Sequence, residues 1–207
     1  MEKLDLTKKY RHYFTAKPEP ALVTIEAAHF LSITGKGDPS GESFKKNIEA
    51  LYSTAYTLKF ASKNNGNDFV VSKLEGLWWF DESRFLADSA AEAPQKIPRS
   101  EWEYRLLIRM PDFITKTKVQ SAQETILLKK RIIEVQYLEL FKMKEGLCVQ
   151  LLHQGPFATE PESLEKISVF MNDRSLIRNG KHHEIYLSDF NKTAPEKLKT
   201  ILREPVK

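Results

Sequence analysis

Residues 181–190 read KHHEIYLSDF, and four side chains there are able to do chemistry: His182, His183, Glu184 and Tyr186. Adjacent strand residues project to opposite faces, so the two histidines cannot chelate one ion together. No HxH, HExxH or acidic-cluster pattern supplies further ligands, and no metal is expected. Both histidines read as strand-end residues near solvent. Glu184 and Tyr186 share a face, and Ile185 with Leu187 share the other. If Ile185 and Leu187 pack against helices, Glu184 and Tyr186 point away from the helices, into a cleft. A carboxylate among aromatic neighbours suits two tasks, neutralising a cationic aromatic ligand or acting as a general base toward water. An ordinary solvated strand glutamate is the plain alternative. The paired tryptophans of KLEGLWWF (73–80) add planar surface, with Trp78 expected in the cleft and Trp79 beside Leu77 on the helix side. Trp102 and Tyr104 in EWEYRLLI share one strand face, which either lines the cleft or packs on a helix. His153, Tyr137 and Gln150 are further, weaker candidates.

The elements that position these residues occur twice. FLSITGKG (30–37) and CVQLLHQG (148–155) are β-prone runs closing on a glycine, and a helix start follows each. Phe44, Ile48, Leu51, Ala55 and Leu58 recur at the spacing of an amphipathic helix. In the second copy Thr159 and Glu162 read as a capping box, followed by Leu164, Ile167 and Met171. Each helix leads to another strand, and setting Lys73 against Lys181 sets Gly76 against Glu184 and Trp78 against Tyr186. ALVTIEA (21–27) precedes the first copy, EWEYRLLIRM (101–110) closes it, and EVQYLELF (134–141) opens the second. Between them, 112–130 reads as a linker helix with Val119, Ala122 and Ile126 on one side. The expectation is one α+β domain over 1–207, with repeat 1 at about 20–110 and repeat 2 at about 134–207. Pairing two units that each cover a sheet with one helix creates a cleft on their shared axis.

Composition bounds the function. The chain has 207 residues, 41% hydrophobic, with 32 basic and 28 acidic residues. Its charges are interleaved and the longest basic run is KKR at 129–131, so nucleic acid is not an expected partner. The single cysteine, Cys148, sits in apolar GLCVQLL and reads as a buried inert thiol. No apolar run approaches the ~18 residues of a membrane span, and no signal-peptide core opens the sequence. A cytoplasmic protein without an obligate protein partner is expected.

In order along the chain, YRHYFTAKPEPALV, FLSITGKGDP, KLEGLWWFDE, WEYRLLIRMPDFIT, LCVQLLHQGPFATE and KHHEIYLSDFNKTAPEKLKTILREPV resemble the GyrI-like small-molecule-binding family. The resemblance implies a duplicated βαββ fold, an SH2-like pair, with a ligand cleft between pseudo-symmetric halves. Related domains sense effectors in multidrug-responsive regulators, where the glutamate of an E-x-Y strand motif binds cationic aromatic drugs. Glu184 and Tyr186 occupy that motif here. No helix-turn-helix pattern is found at either end, a departure from those regulators. Paired tryptophans with HHEIYL are similar to the cyclopropanoid cyclopropyl hydrolases, which open the strained ring of DNA-alkylating natural products. The resemblance therefore implies a cofactor-free detoxifying hydrolase acting on a planar aromatic small molecule. Glu184 would direct water, Tyr186 would hydrogen-bond the substrate carbonyl, and Trp78, Trp79, Trp102, Tyr104, His153 and Tyr137 would contact substrate. The alternative is a non-catalytic protein that sequesters amphipathic cations.

Overall fold

A computed structural model describes residues 3–85 and 92–207. Its elements are α1 (Leu6–Lys9), β1 (Ala21–Ile25), β2 (Ala28–Lys36), α2 (Glu42–Asn64), β3 (Leu74–Trp79), α3 (Ala93–Lys96) and β4 (Glu103–Met110). These are followed by α4 (Lys116–Lys130), β5 (Glu139–Met143), β6 (Gly146–Gln154), α5 (Glu160–Asn172), β7 (His182–Tyr186) and β8 (Lys199–Pro205). The strands form one antiparallel sheet in the order β1-β6-β8-β7-β3-β4-β2-β5. The fold is a duplicated βαββ. One copy contributes β2, α2, β3 and β4, the other β6, α5, β7 and β8, and they meet along β3 and β7.

The opening strands do not stay with their own copies. β1 pairs with β6 and β5 pairs with β2, so each copy lends its first strand to the far edge of the other. This exchange covers both edges that the three-stranded units would otherwise leave unpaired. Residues 134–137, expected within the strand that opens the second copy, belong instead to a short 3₁₀ turn (Ile133–Tyr137) before β5 begins.

The three long helices, α2, α4 and α5, lie on one side of the sheet. The stripe of α2 buries Phe44, Leu51, Ala55 and Leu58 against Leu31, Ile33, Leu106 and Ile108. Each such leucine contributes roughly 1.5–3 kcal/mol by leaving water. Helix α4 packs on the same cluster through Val119, Ala122 and Ile126. Helix α5 places Leu164 and Ile167 on Val149, Leu151 and Leu202. The glycines closing β2 and β6, Gly37 and Gly155, have φ of 118° and 135°, a conformation that suits glycine alone as the chain turns toward each helix. The expected capping box is absent, because the Thr159 hydroxyl donates to the Pro156 carbonyl at 2.9 Å instead.

The opposite face is covered by the N-terminal segment. Tyr13 and Phe14 pack there with Leu77, Leu107, Cys148, Ile185 and Ile201. This corrects the faces assigned from the sequence. Ile185 and Leu187 meet the N-terminal segment, while Glu184, Tyr186 and Trp78 stand on the helix side. Trp79, expected with the helices, lies on the opposite face.

Candidate functional site

Because α2 and α5 belong to different copies, they leave a gap between them above the central strands β3 and β7. The gap is a cavity of about 1130 Å³. Two groups of aromatic side chains frame it, one from each copy. In the first, Trp78 stacks on Phe44 with ring centres 5.8 Å apart and meets Trp102 edge-on at 6.4 Å. In the second, Phe157, Tyr186 and Phe190 make mutual edge contacts at 5.9–6.2 Å. Such surfaces hold a flat aromatic body without reading its edges.

Polar groups converge between the aromatic groups. The Tyr186 hydroxyl donates to Glu184 Oε2 at 2.6 Å and accepts from Trp78 Nε1 at 3.1 Å. Glu184 Oε1 lies 3.4 Å from His182 Nε2, and His182 Nδ1 lies 2.7 Å from Glu204 Oε1. The other Glu204 oxygen forms an ion pair with Arg178 Nε at 3.3 Å. Burial alone would lower the His182 pKa, but the Glu204 and Glu184 carboxylates outweigh it and raise it to about 10. His182 is thus an imidazolium clamped between two carboxylates. Burial, and then the neighbouring Glu184 charge, push the Tyr186 phenol well above its ordinary value, so it stays a neutral donor.

A second carboxylate, Glu160 in the first turn of α5, also lines the cavity. It is 8% exposed and its Oε1 has no hydrogen-bond partner. Burial, with the Glu184 charge beside it, raises its pKa well above the carboxylate range.

The floor beneath these groups is Gly76, paired directly with Glu184. A Cβ there would stand 2.8 Å from Trp78 Nε1 and 3.1 Å from the Tyr186 oxygen. Only a glycine lets those two side chains close over the strand.

Of the residues singled out in the sequence, the structure brings Glu184, Tyr186, Trp78 and Trp102 together around the cavity. Trp79 also contributes to its lining, but its ring packs with the opposite-face cluster and carries the Lys181 ammonium 3.0 Å from its centre. Tyr104 is fully buried behind Phe44 and Trp78, accepting from Asn47 at 3.0 Å, and does not line the cavity. His153 is buried against Ser163 and the Pro156 carbonyl, away from the lining. Tyr137 is 70% exposed in the turn before β5. Tyr186, expected to donate to substrate, has its hydroxyl proton engaged by Glu184.

Neither histidine is a solvent-facing strand end. His183 is fully buried on the opposite face, 3.1 Å from Glu75 and 2.9 Å from Glu145. Tyr13 donates to Glu75, and Arg203 reaches Glu145 at 3.0 Å, Gln150 at 3.0 Å and the Tyr13 carbonyl at 2.8 Å. This network fixes the N-terminal segment under the strand that carries Glu184, and it accounts for Gln150. Cys148 is buried, its thiol pushed up to about 12 mainly by burial.

Glu160 and Glu204 escaped sequence reasoning, although both left a trace. Glu160, Leu164 and Ile167 are spaced four and three apart, which places a carboxylate on the apolar stripe of α5. Glu204 alternates with Leu202 on β8 and with Val206 just beyond its end, on the helix-side face.

The fold and the cavity define a class, a two-copy α+β scaffold that holds a small molecule between its halves. The sequence matches the family model of the GyrI-like small molecule binding domain over residues 18–207, and the chain belongs to that family. An uncharacterized conserved protein from Listeria innocua is 36% identical, with a TM-score of 0.88 over 99% of this chain and 100% of its own. A hydrolase from Listeria innocua is likewise 36% identical, with a TM-score of 0.86 over 100% of both chains. The C-terminal domain of EcmrR shares the fold at 11% identity, with a TM-score of 0.56 over 91% of this chain and 97% of its own. Among curated proteins none matches. Among the described residues no helix is long and apolar enough to cross a membrane.

Proposed function

We propose that the protein is a cofactor-independent hydrolase that adds water to the strained ring of planar aromatic, cyclopropane-bearing alkylating compounds, in the manner of a detoxifying enzyme. The carrying observation is Glu184, a carboxylate oriented by Tyr186 and His182 at the bottom of an aromatic-walled cavity. The 36% identity to a hydrolase over its whole length supports the same reading.

The substrate's flat body lies between the Trp78 and Phe157 groups. Glu184 takes a proton from a water molecule as its oxygen attacks the ring CH₂. The breaking C–C bond delivers its electron pair into the conjugated system, and negative charge collects on the substrate's carbonyl oxygen. Ring strain and the aromaticity gained make the substrate reactive already, so general-base assistance of ~10²–10⁴-fold suffices. Tyr186 acts as a positioning residue, holding Glu184 through a short charge-assisted hydrogen bond.

Glu184→Gln tests this reading. The variant is expected to bind planar aromatic ligands with affinity near that of wild type while losing turnover of a cyclopropane substrate. Full activity in the variant would remove Glu184 from the role of base. Absence of turnover in wild type, together with weaker binding of aromatic cations by the variant, would instead favour cation sequestration.

A further inference from the structure

The charges around the cavity floor cancel with one group left over. Glu184 faces His182, and Glu204 faces both His182 and Arg178, so two carboxylates meet two cations. Elsewhere on the lining, which also carries Asp81, Glu82 and Glu103, the cations are engaged too: Arg99 pairs with Asp38 at 3.5 Å, and Lys181 sits over Trp79. Glu160 remains. It is nine-tenths buried, Oε1 has no hydrogen-bond partner, and the like charge of Glu184 acts on it more strongly than the opposing charge of His182. An unpaired carboxylate buried beside another is among the costliest arrangements in a protein, and holding a proton removes the cost.

We infer that Glu160 rests as a neutral carboxylic acid and donates to the carbonyl oxygen of an uncharged planar aromatic ligand, so that the cavity selects neutral, acceptor-bearing ligands over aromatic cations. The inference rests on the reading of the cavity as a ligand site and adds its ligand class and proton donor. A cation would need Glu160 ionised beside Glu184. A neutral carbonyl compound uses the cavity as it stands. In the proposed ring opening the arrangement also balances the protons. Glu184 gains one from water, and the carbonyl oxygen, now carrying the electron pair of the broken C–C bond, takes one from Glu160. Return of a proton from Glu184 to Glu160 through water restores the starting state, and the net change is addition of one water.

The test uses two probes of one shape, neutral acridone and cationic N-methylacridinium, titrated calorimetrically into wild type, Glu160→Gln and Glu160→Ala. Infrared spectra of the same proteins read the carboxyl group directly. Wild type is expected to bind acridone at least as tightly as the cation. Glu160→Gln, which keeps an uncharged donor, should hold acridone within about threefold, and Glu160→Ala should lose roughly three- to tenfold, the share of one hydrogen bond. A protonated-carboxyl C=O band should be present in wild type at neutral pH and missing from Glu160→Gln. Tighter binding of the cation that Glu160→Gln weakens, or absence of that band, would overturn the inference while leaving the ligand site intact. Failure of both probes to bind wild type would overturn the ligand-site reading itself and this inference with it.

Discussion

Gly76 and Glu184 face each other across the central strand pair, and they are also the positions that the internal duplication equates. The pseudo-twofold axis therefore passes through this pair, and the two copies have diverged where they meet. One supplies a carboxylate, the other the empty space above which Trp78 and Tyr186 close. Gly76→Ala places a methyl 2.8 Å from Trp78 Nε1. It should cost about 1–3 kcal/mol by overpacking, and it should weaken planar-ligand binding because Trp78 or Tyr186 must move. Thermal melts and ligand titration of the variant check both effects.

Tyr186→Phe removes the donor to Glu184 and leaves the Trp78 indole N–H without its partner. Loss of a buried hydrogen-bond partner should lower stability by about 1–3 kcal/mol. Because the aromatic surface is kept, KM should change little, while kcat should fall roughly tenfold as Glu184 loses its alignment. A rise in KM with kcat unchanged would show that Tyr186 contacts substrate and does not position the base.

Stability should depend on pH in two windows. The folded pKa of His182 is about 10, above its ordinary value of 6.5. Its contribution is fully present below about pH 6.5 and is lost as pH rises through 10. Glu145 runs the other way. Burial alone would raise it, but His183 and Arg203 hold it at about 2 against an ordinary 4.5. Its contribution is present above about pH 4.5 and is lost as pH falls through 2. Denaturant melts of wild type and His182→Gln should differ most near pH 6 and converge toward pH 10.

The network on the opposite face should behave as a structural pin. Glu145→Gln leaves His183 and Arg203 buried without their shared counter-charge, and it should destabilise by about 3–5 kcal/mol. The Tyr13 carbonyl is held by Arg203, so limited proteolysis should cut the first 20 residues earlier in this variant than in wild type.

Local signals carried much of this architecture. The stripes of α2 and α4, the glycines ending β2 and β6, and the duplication were all visible as periodicity or repetition. The faces of β7 were not. Alternation separates Glu184 from Ile185, but it does not say which face the helices cover. The apolar cover under Ile185 comes from Tyr13 and Phe14, in a segment with no periodicity. The histidines failed for a related reason. Apart from Glu184, their carboxylate partners lie on β3, on β8 and in the turn before β6, and strand register across a sheet is not written in any one strand. Glu160 lies between Thr159 and Glu162, the two residues that read as a capping box, while its spacing from Leu164 places it on the buried stripe.

The most direct test of the central claim is mass spectrometry of a cyclopropanoid alkylating compound incubated with wild type and with Glu184→Gln in oxygen-18 water. Wild type is expected to turn over many times to a ring-opened product heavier by one water and carrying the label, with Glu184→Gln at the rate of the protein-free control. Unchanged compound with wild type, or equal slow hydrolysis with and without protein, would contradict it.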